Sequence, residues 1–123
     1  MPYTACIQPE ETYLKISISG TMDTFEELFD FAELLNRLGL EYGITRALLD
    51  QRRLRKHLDG LDFYRLAESD LTADAAARGV RLACLPNPQD CALARNVETL
   101  LHNRSVSYRV FADGKEAVAW LTR

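Results

Sequence analysis

After residue 13, every strand-like run in this 123-residue chain is followed by a helix-like one. That alternation restricts the fold more than any motif does. Strands separated by helices lie most simply side by side in one direction, with each helix carrying the chain back across the sheet in a right-handed crossover. In the first run Leu14, Ile16 and Ile18 alternate with Lys15, Ser17 and Ser19, the period of two expected of a half-exposed strand. Residues 3–8 form a short apolar run before it. Pro9, Glu10 and Glu11 supply the turn, so the two runs predict a hairpin at the edge of the sheet. The polar face of the second strand implies that helices do not cover both sides of the sheet there. Ala47, Leu48 and Leu49, ending in Asp50, have no polar break and suit a central strand. Residues 80–85 and 106–111 supply two more.

The helices carry end signals. Asp23 followed by Glu26 resembles a capping box, and Gly39 or Gly43 can stop the first helix. Phe25, Leu28, Phe29, Ala32 and Leu35 form one apolar stripe on it. Phe31, Leu34 and Leu38 form a second beside the first. Together they span more than half the circumference, more than one sheet can cover. Either a neighbouring helix or a second copy of the chain takes the remainder, so Phe31, Leu34 and Leu38 mark a candidate dimer interface. One further helix is expected from Asp59–Asp62 to Arg78 before Gly79. Another opens at Asn87-Pro88-Gln89-Asp90, and the last is capped by Asp113 with Glu116. The expected order is β-β-α-β-α-β-α-β-α, a five-stranded mixed sheet with four helices in a single α/β domain over residues 1–123.

Bulk properties narrow the class. Charged residues make up 27% of the chain and the net charge is −3, which gives no global attraction to nucleic acid or anionic lipid. Cys6, Cys84 and Cys91 are odd in number and not paired at C-x-x-C spacing, so they are read as reduced thiols in a cytoplasmic protein. No secretory leader and no membrane-spanning run is expected.

Three stretches resemble the SpoIIAA-like, or STAS-like, fold. They are the edge strand 13–20 running into 23–28, the run Ala47 to Asp50 with the segment after it, and residues 78–83 together with the closing strand and helix 108–121. The last of these looks like the small bacterial SpoIIAA-like proteins of unassigned function. In the anti-sigma-factor antagonists of this fold, a phosphorylatable serine opens the second helix. The matching residues here are Leu58, Asp59, Gly60, Leu61 and Asp62, with no Ser or Thr between Asp50 and Ser69. The resemblance therefore implies a regulatory or protein-interaction module without that serine switch. The alternative is a carrier of a small anionic or lipid-like ligand.

The most distinctive local feature is basic. Arg52, Arg53, Arg55, Lys56 and His57 crowd one segment after Asp50 in an otherwise acidic chain, and are expected to form a loop at the C-terminal edge of the sheet, where open α/β sheets bind ligands. Arginine forks suit phosphate or carboxylate. Asp50, Arg52, Arg53, Arg55, Lys56 and Asn87 are accordingly the candidate binding residues for an unidentified protein partner or small anion. A solvated loop balanced by Asp50, Asp59 and Asp62 is the plain alternative. A phosphate-accepting Asp50 lacks the acidic pair and the lysine such chemistry needs. His57 and His102 stand far apart without zinc spacing, and Cys91 has no nearby base. No phosphate loop, serine elbow or H-E-x-x-H occurs. No catalytic residue, metal or cofactor is assigned, and the chain is expected not to be an enzyme.

Overall fold

A computed structural model describes residues 3–123. The elements run β1 (Tyr3–Pro9), β2 (Leu14–Met22), α1 (Phe25–Tyr42), β3 (Arg46–Lys56), α2 (Gly60–Ala67), α3 (Asp70–Ala77), β4 (Arg81–Pro86), a single 3-10 turn (Pro88–Asp90), α4 (Cys91–His102), β5 (Ser107–Val110) and α5 (Gly114–Thr122). The strands form one sheet in the order β1-β2-β3-β4-β5. β1 and β2 are antiparallel; the pairs β2–β3, β3–β4 and β4–β5 are parallel.

Helices α1 to α4 pack on one face of the sheet. Leu14, Ile16, Ile18, Leu49, Cys84 and Tyr108 meet Leu28, Phe31, Phe63 and Val97 there. Only α5 covers the other face, with Ala117 and Leu121 against Leu48, Ala83 and Leu85. Its cover stops at β3, so Lys15 and Ser17 of β2 stay half-exposed and Ser19 is exposed, as the alternation in β2 implies.

Five helices form where four were expected. The single apolar period over 62–78 hides a break at Glu68 and Ser69. Both the Ser69 hydroxyl and that of Thr72 donate to the Leu66 carbonyl, at 2.6 and 2.7 Å. Local side-chain bonds of this kind compete with helix continuation, and Ser69 then starts α3 in an extended conformation. At α1 the cap lies one residue later than expected. Thr24 and Glu27 form the reciprocal capping box, and Gly43 ends the helix at φ 65°, its N–H donating to Gly39 O.

The wide apolar arc of α1 is covered from within the chain. Phe31 is 3% exposed and Leu38 is also buried, while Leu34 is half-buried against the same core. The Tyr3 ring of β1 stands edge-on to Phe31 at 5.9 Å between centroids. Tyr3 of the hairpin thus covers Phe31, and Phe31 and Leu38 lie in the core with Leu34 packed at its margin. Leu40 and Tyr42, at the C-terminal end of α1, are exposed instead.

Candidate functional site

The basic segment is not a loop. β3 continues as a strand to Lys56 and pairs with β2 along its length, from Leu14 opposite Ala47 to Met22 opposite Lys56. The continuation suits the residues, since Leu54 is 1% exposed in the core and anchors the middle of the charged run. The pairing shifts between Ser17 and Ser19, where β3 carries one extra residue, a β-bulge. Side chains alternate along a strand, and one inserted residue exchanges the two faces beyond it. Before the bulge Ala47, Leu49 and Gln51 face the helices; after it Leu54 and Lys56 do.

Past the bulge Arg53 and Arg55 keep to the same face as Asp50, away from α1–α4, and of the candidates on β3 Lys56 alone turns toward the helices. Asp50 is half-buried on the α5 side. Its carboxylate accepts from Arg52 Nε at 2.9 Å and Nη2 at 2.8 Å, and the hydrogen-bonded guanidinium holds that carboxyl below the usual carboxylate range against the opposing effect of burial. Both residues line an open groove of about 650 Å³ with Lys15, Asp113 and Lys115. Arg53 is exposed. Arg55 reaches toward the 3-10 turn, bonding Gln89 Oε1 and lying 3.6 Å from the buried Asp90 carboxylate. Asn87 caps that turn, accepting from Gln89 N at 3.0 Å. Asp59 and Asp62 form a capping box at the start of α2, which gives both acids a structural role. Arg52, Arg55 and Asn87 are each engaged within the chain, and the six candidates do not converge on one surface.

Lys56 departs from the others. It is 8% exposed and helps line a cavity of about 140 Å³ between the sheet and α1–α4. The lining runs from Thr45 and Val80 at one end of the sheet to Met22, Lys56 and Phe63 at the other. The strand from Ala47 to Lys56 alone spans roughly 30 Å. The lining therefore extends along most of β3. The walls are largely Leu, Ile, Val and Phe side chains, with Gln51, Lys56 and Tyr108 among the polar groups.

The Lys56 ammonium stands 5.5 Å from the centroid of the Phe63 ring. Among the described residues no carboxylate lies within ion-pair distance of it. Asp90 Oδ2 is taken by the Lys56 backbone N–H at 3.1 Å, and Asp90 Oδ1 faces Arg55. Burial pushes the lysine below its ordinary range, with Cys84 and Asp90 opposing that shift. Cys84 lies against the Tyr108 hydroxyl, and its thiol is 3.5 Å from Gln51 Oε1. Burial raises the thiol and raises Tyr108 further, so both stay neutral at pH 7. Gln51, Cys84 and Tyr108 thus form a small polar cluster on the sheet, and Lys56 is the group acting on it that can carry charge at neutral pH.

Sequence reasoning singled out Lys56 but grouped it with its arginine neighbours, and passed over Gln51, Phe63 and Tyr108. One signal pointed inward: Leu54 and Lys56 share a parity that Gln51 does not, as a bulge between them requires. Among the described residues no group of three or more His, Cys, Asp or Glu side chains is placed to hold a metal ion, and no helix is long and apolar enough to cross a membrane.

No family model matches the sequence, and no curated protein matches it. The structure is similar to the crystal structure of an uncharacterized protein of the DUF3478 family with a SpoIIAA-like fold from Shewanella loihica. The two share 18% identity, cover 97% of this chain and 93% of that one, and superpose with a TM-score of 0.55. The SpoIIAA-like fold expected from the sequence is thus the fold of this chain.

Proposed function

We propose that this domain is a non-enzymatic binding module that takes a slender apolar molecule into the space between its sheet and α1–α4. The observation that carries this is the 140 Å³ cavity running beneath α1–α4. Protein interiors are close-packed, and voids of this size are few. A cavity of about 150 Å³ lined by Leu, Ile and Phe stays dry and admits benzene. At about 24 cal/mol per Å³, leaving such a volume empty costs on the order of 3 kcal/mol relative to a filled core, and an apolar occupant recovers part of it. The reach of the lining along β3 favours an unbranched chain over a ring system. Thermal melting with a series of straight-chain alcohols tests this. The melting point should rise with chain length and then level off. An unchanged melting point with every member of the series would overturn the proposal.

A second reading, a protein-interaction module, is favoured by α2. Leu61 and Tyr64 are 66% and 48% exposed on its outer side, at the helix whose start is the partner-contacting region in the antagonists this fold resembles. Under that reading, Leu61→Ser with Tyr64→Ser should abolish capture of a partner without altering alcohol binding. A partner retained by the double variant would dismiss it.

A further inference from the structure

We propose that Lys56 makes the cavity selective for a chain ending in a carboxylate, with the acid group seated beside Lys56 and the chain lying along the apolar lining. The proposal rests on the cavity being a ligand site at all and adds the chemistry of the ligand's head.

Three observations converge on it. Three cations lie on the lining, and Lys56 is the one with no side-chain hydrogen bond among the described residues; Arg46 donates from Nη1 to the Leu121 carbonyl at 2.9 Å. Arg78, at the opposite end, donates from Nη2 to Asn36 Oδ1 at 2.6 Å and is already engaged. The inward aim of Lys56 depends on an inserted residue, because without the bulge opposite Ser17–Ser19 the side chain would face away from α1–α4. Finally, the groups around the ammonium include one carboxylate, Asp90, and it lies beyond ion-pair distance of the ammonium. From β2 comes Met22, from β3 Gln51, from α2 Phe63, from β4 Cys84, from β5 Tyr108, and from the 3-10 turn Asp90, whose two oxygens are occupied by the Lys56 backbone N–H and by Arg55.

A buried amine without a partner carries its charge at a high cost in desolvation. A carboxylate arriving beside it reverses the balance, because a charge-assisted hydrogen bond then forms in a water-poor setting. The ligand enters as the carboxylate, Lys56 holds or takes up a proton, and the neutral pair is completed with no bond made or broken apart from the proton transfer. One lysine matches one negative charge. A phosphate head, at about −1.5 to −2, would leave charge uncompensated. The volume sets the length at about six to eight carbons, judged against a cavity of similar size that admits benzene.

The test compares octanoic acid, 1-octanol and octyl phosphate by isothermal titration with the full chain and with Lys56→Met. Methionine keeps an unbranched side chain of similar reach and removes the charge. The parent should bind octanoate at least tenfold more tightly than octanol or octyl phosphate, with proton uptake at pH 8 visible when buffers of different ionisation enthalpy are compared. Lys56→Met should lose the preference for the acid, binding octanoate no more tightly than octanol. If octanol and octanoate bind the parent equally, or the acid preference survives in Lys56→Met, the assignment to Lys56 is wrong while the cavity reading stands. If neither acid nor alcohol binds, the cavity reading itself fails. A tighter complex with octyl phosphate than with octanoate would overturn the carboxylate assignment alone.

Discussion

Lys56 sits where a chain optimised only for stability would place a methionine or leucine. Its folded-state affinity for protons is lowered chiefly by burial, whereas the unfolded chain holds the proton up to about 10.5, the ordinary lysine value. Between those two values the unfolded state binds more protons, so this residue makes stability rise with pH across that window, and its penalty is greatest on the acid side. Cys84 and Tyr108 act in the opposite sense at alkaline pH, because both are raised. The informative quantity is therefore the difference between variant and parent. Lys56→Met should be more stable than the parent by roughly 1–3 kcal/mol at pH 7, and the gain should shrink steadily as pH approaches 10.5. Urea unfolding at several pH values measures it, and a gain independent of pH would mean that Lys56 is not held in a depressed state. Asp50 and Arg52 offer a contrast, since their pair lies at the surface with the arginine side chain 56% exposed. Arg52→Ala should change stability by no more than about 1 kcal/mol.

At the scale of elements, β3 and α1 carry the departures from simple patterns. The bulge in β3 sets the facing of everything after it. Deleting Arg52 removes the inserted residue and leaves Leu54 and Lys56 facing the helices in the same register, so it should cost at most about 1–2 kcal/mol beyond Arg52→Ala. Denaturant midpoints of the two variants compare them, and a loss of several kcal/mol on deletion would show that the strand depends on the bulge itself. In α1, Leu34 is half-buried and Leu40 is 63% exposed. Leu34→Glu should destabilise by about 1–3 kcal/mol, while Leu40→Glu should be nearly neutral. Light scattering should give the same particle mass for the parent and both variants. A loss of mass in Leu34→Glu without loss of stability would instead restore that face as a contact between copies. Gly43→Ala should cost about 1 kcal/mol, since φ there is 65°.

For the whole molecule, the cavity exists because α1, α2, α3 and α4 rest on the sheet without closing the space between them. Ala75 of α3 is one of its small lining residues. Ala75→Leu should fill part of the volume, leaving stability unchanged or raised by up to about 2 kcal/mol, while removing alcohol binding. Calorimetry on the one variant reads both effects. Retained binding in a protein so filled would place the occupant elsewhere.

What the sequence determined by itself was the order of strands and helices, the edge hairpin and the partly uncovered face of β2. Each follows from periods of two or 3.6 residues, turn residues and caps acting over a few neighbours. The break between α2 and α3 was less legible, because the apolar period runs through it and only the hydroxyls of Ser69 and Thr72 on one carbonyl reveal it. The tertiary structure alone decided the rest. That Tyr3 covers Phe31 depends on two segments far apart in the chain meeting across α1. The run from Arg52 to Lys56 could be written as one patch of positive charge, yet Lys56 turns into the core while Arg53 and Arg55 face away from α1–α4, because β2 pairs with it through a bulge. Which face a side chain takes after such a shift is set by the partner strand's register, and register is a property of the pair rather than of either sequence.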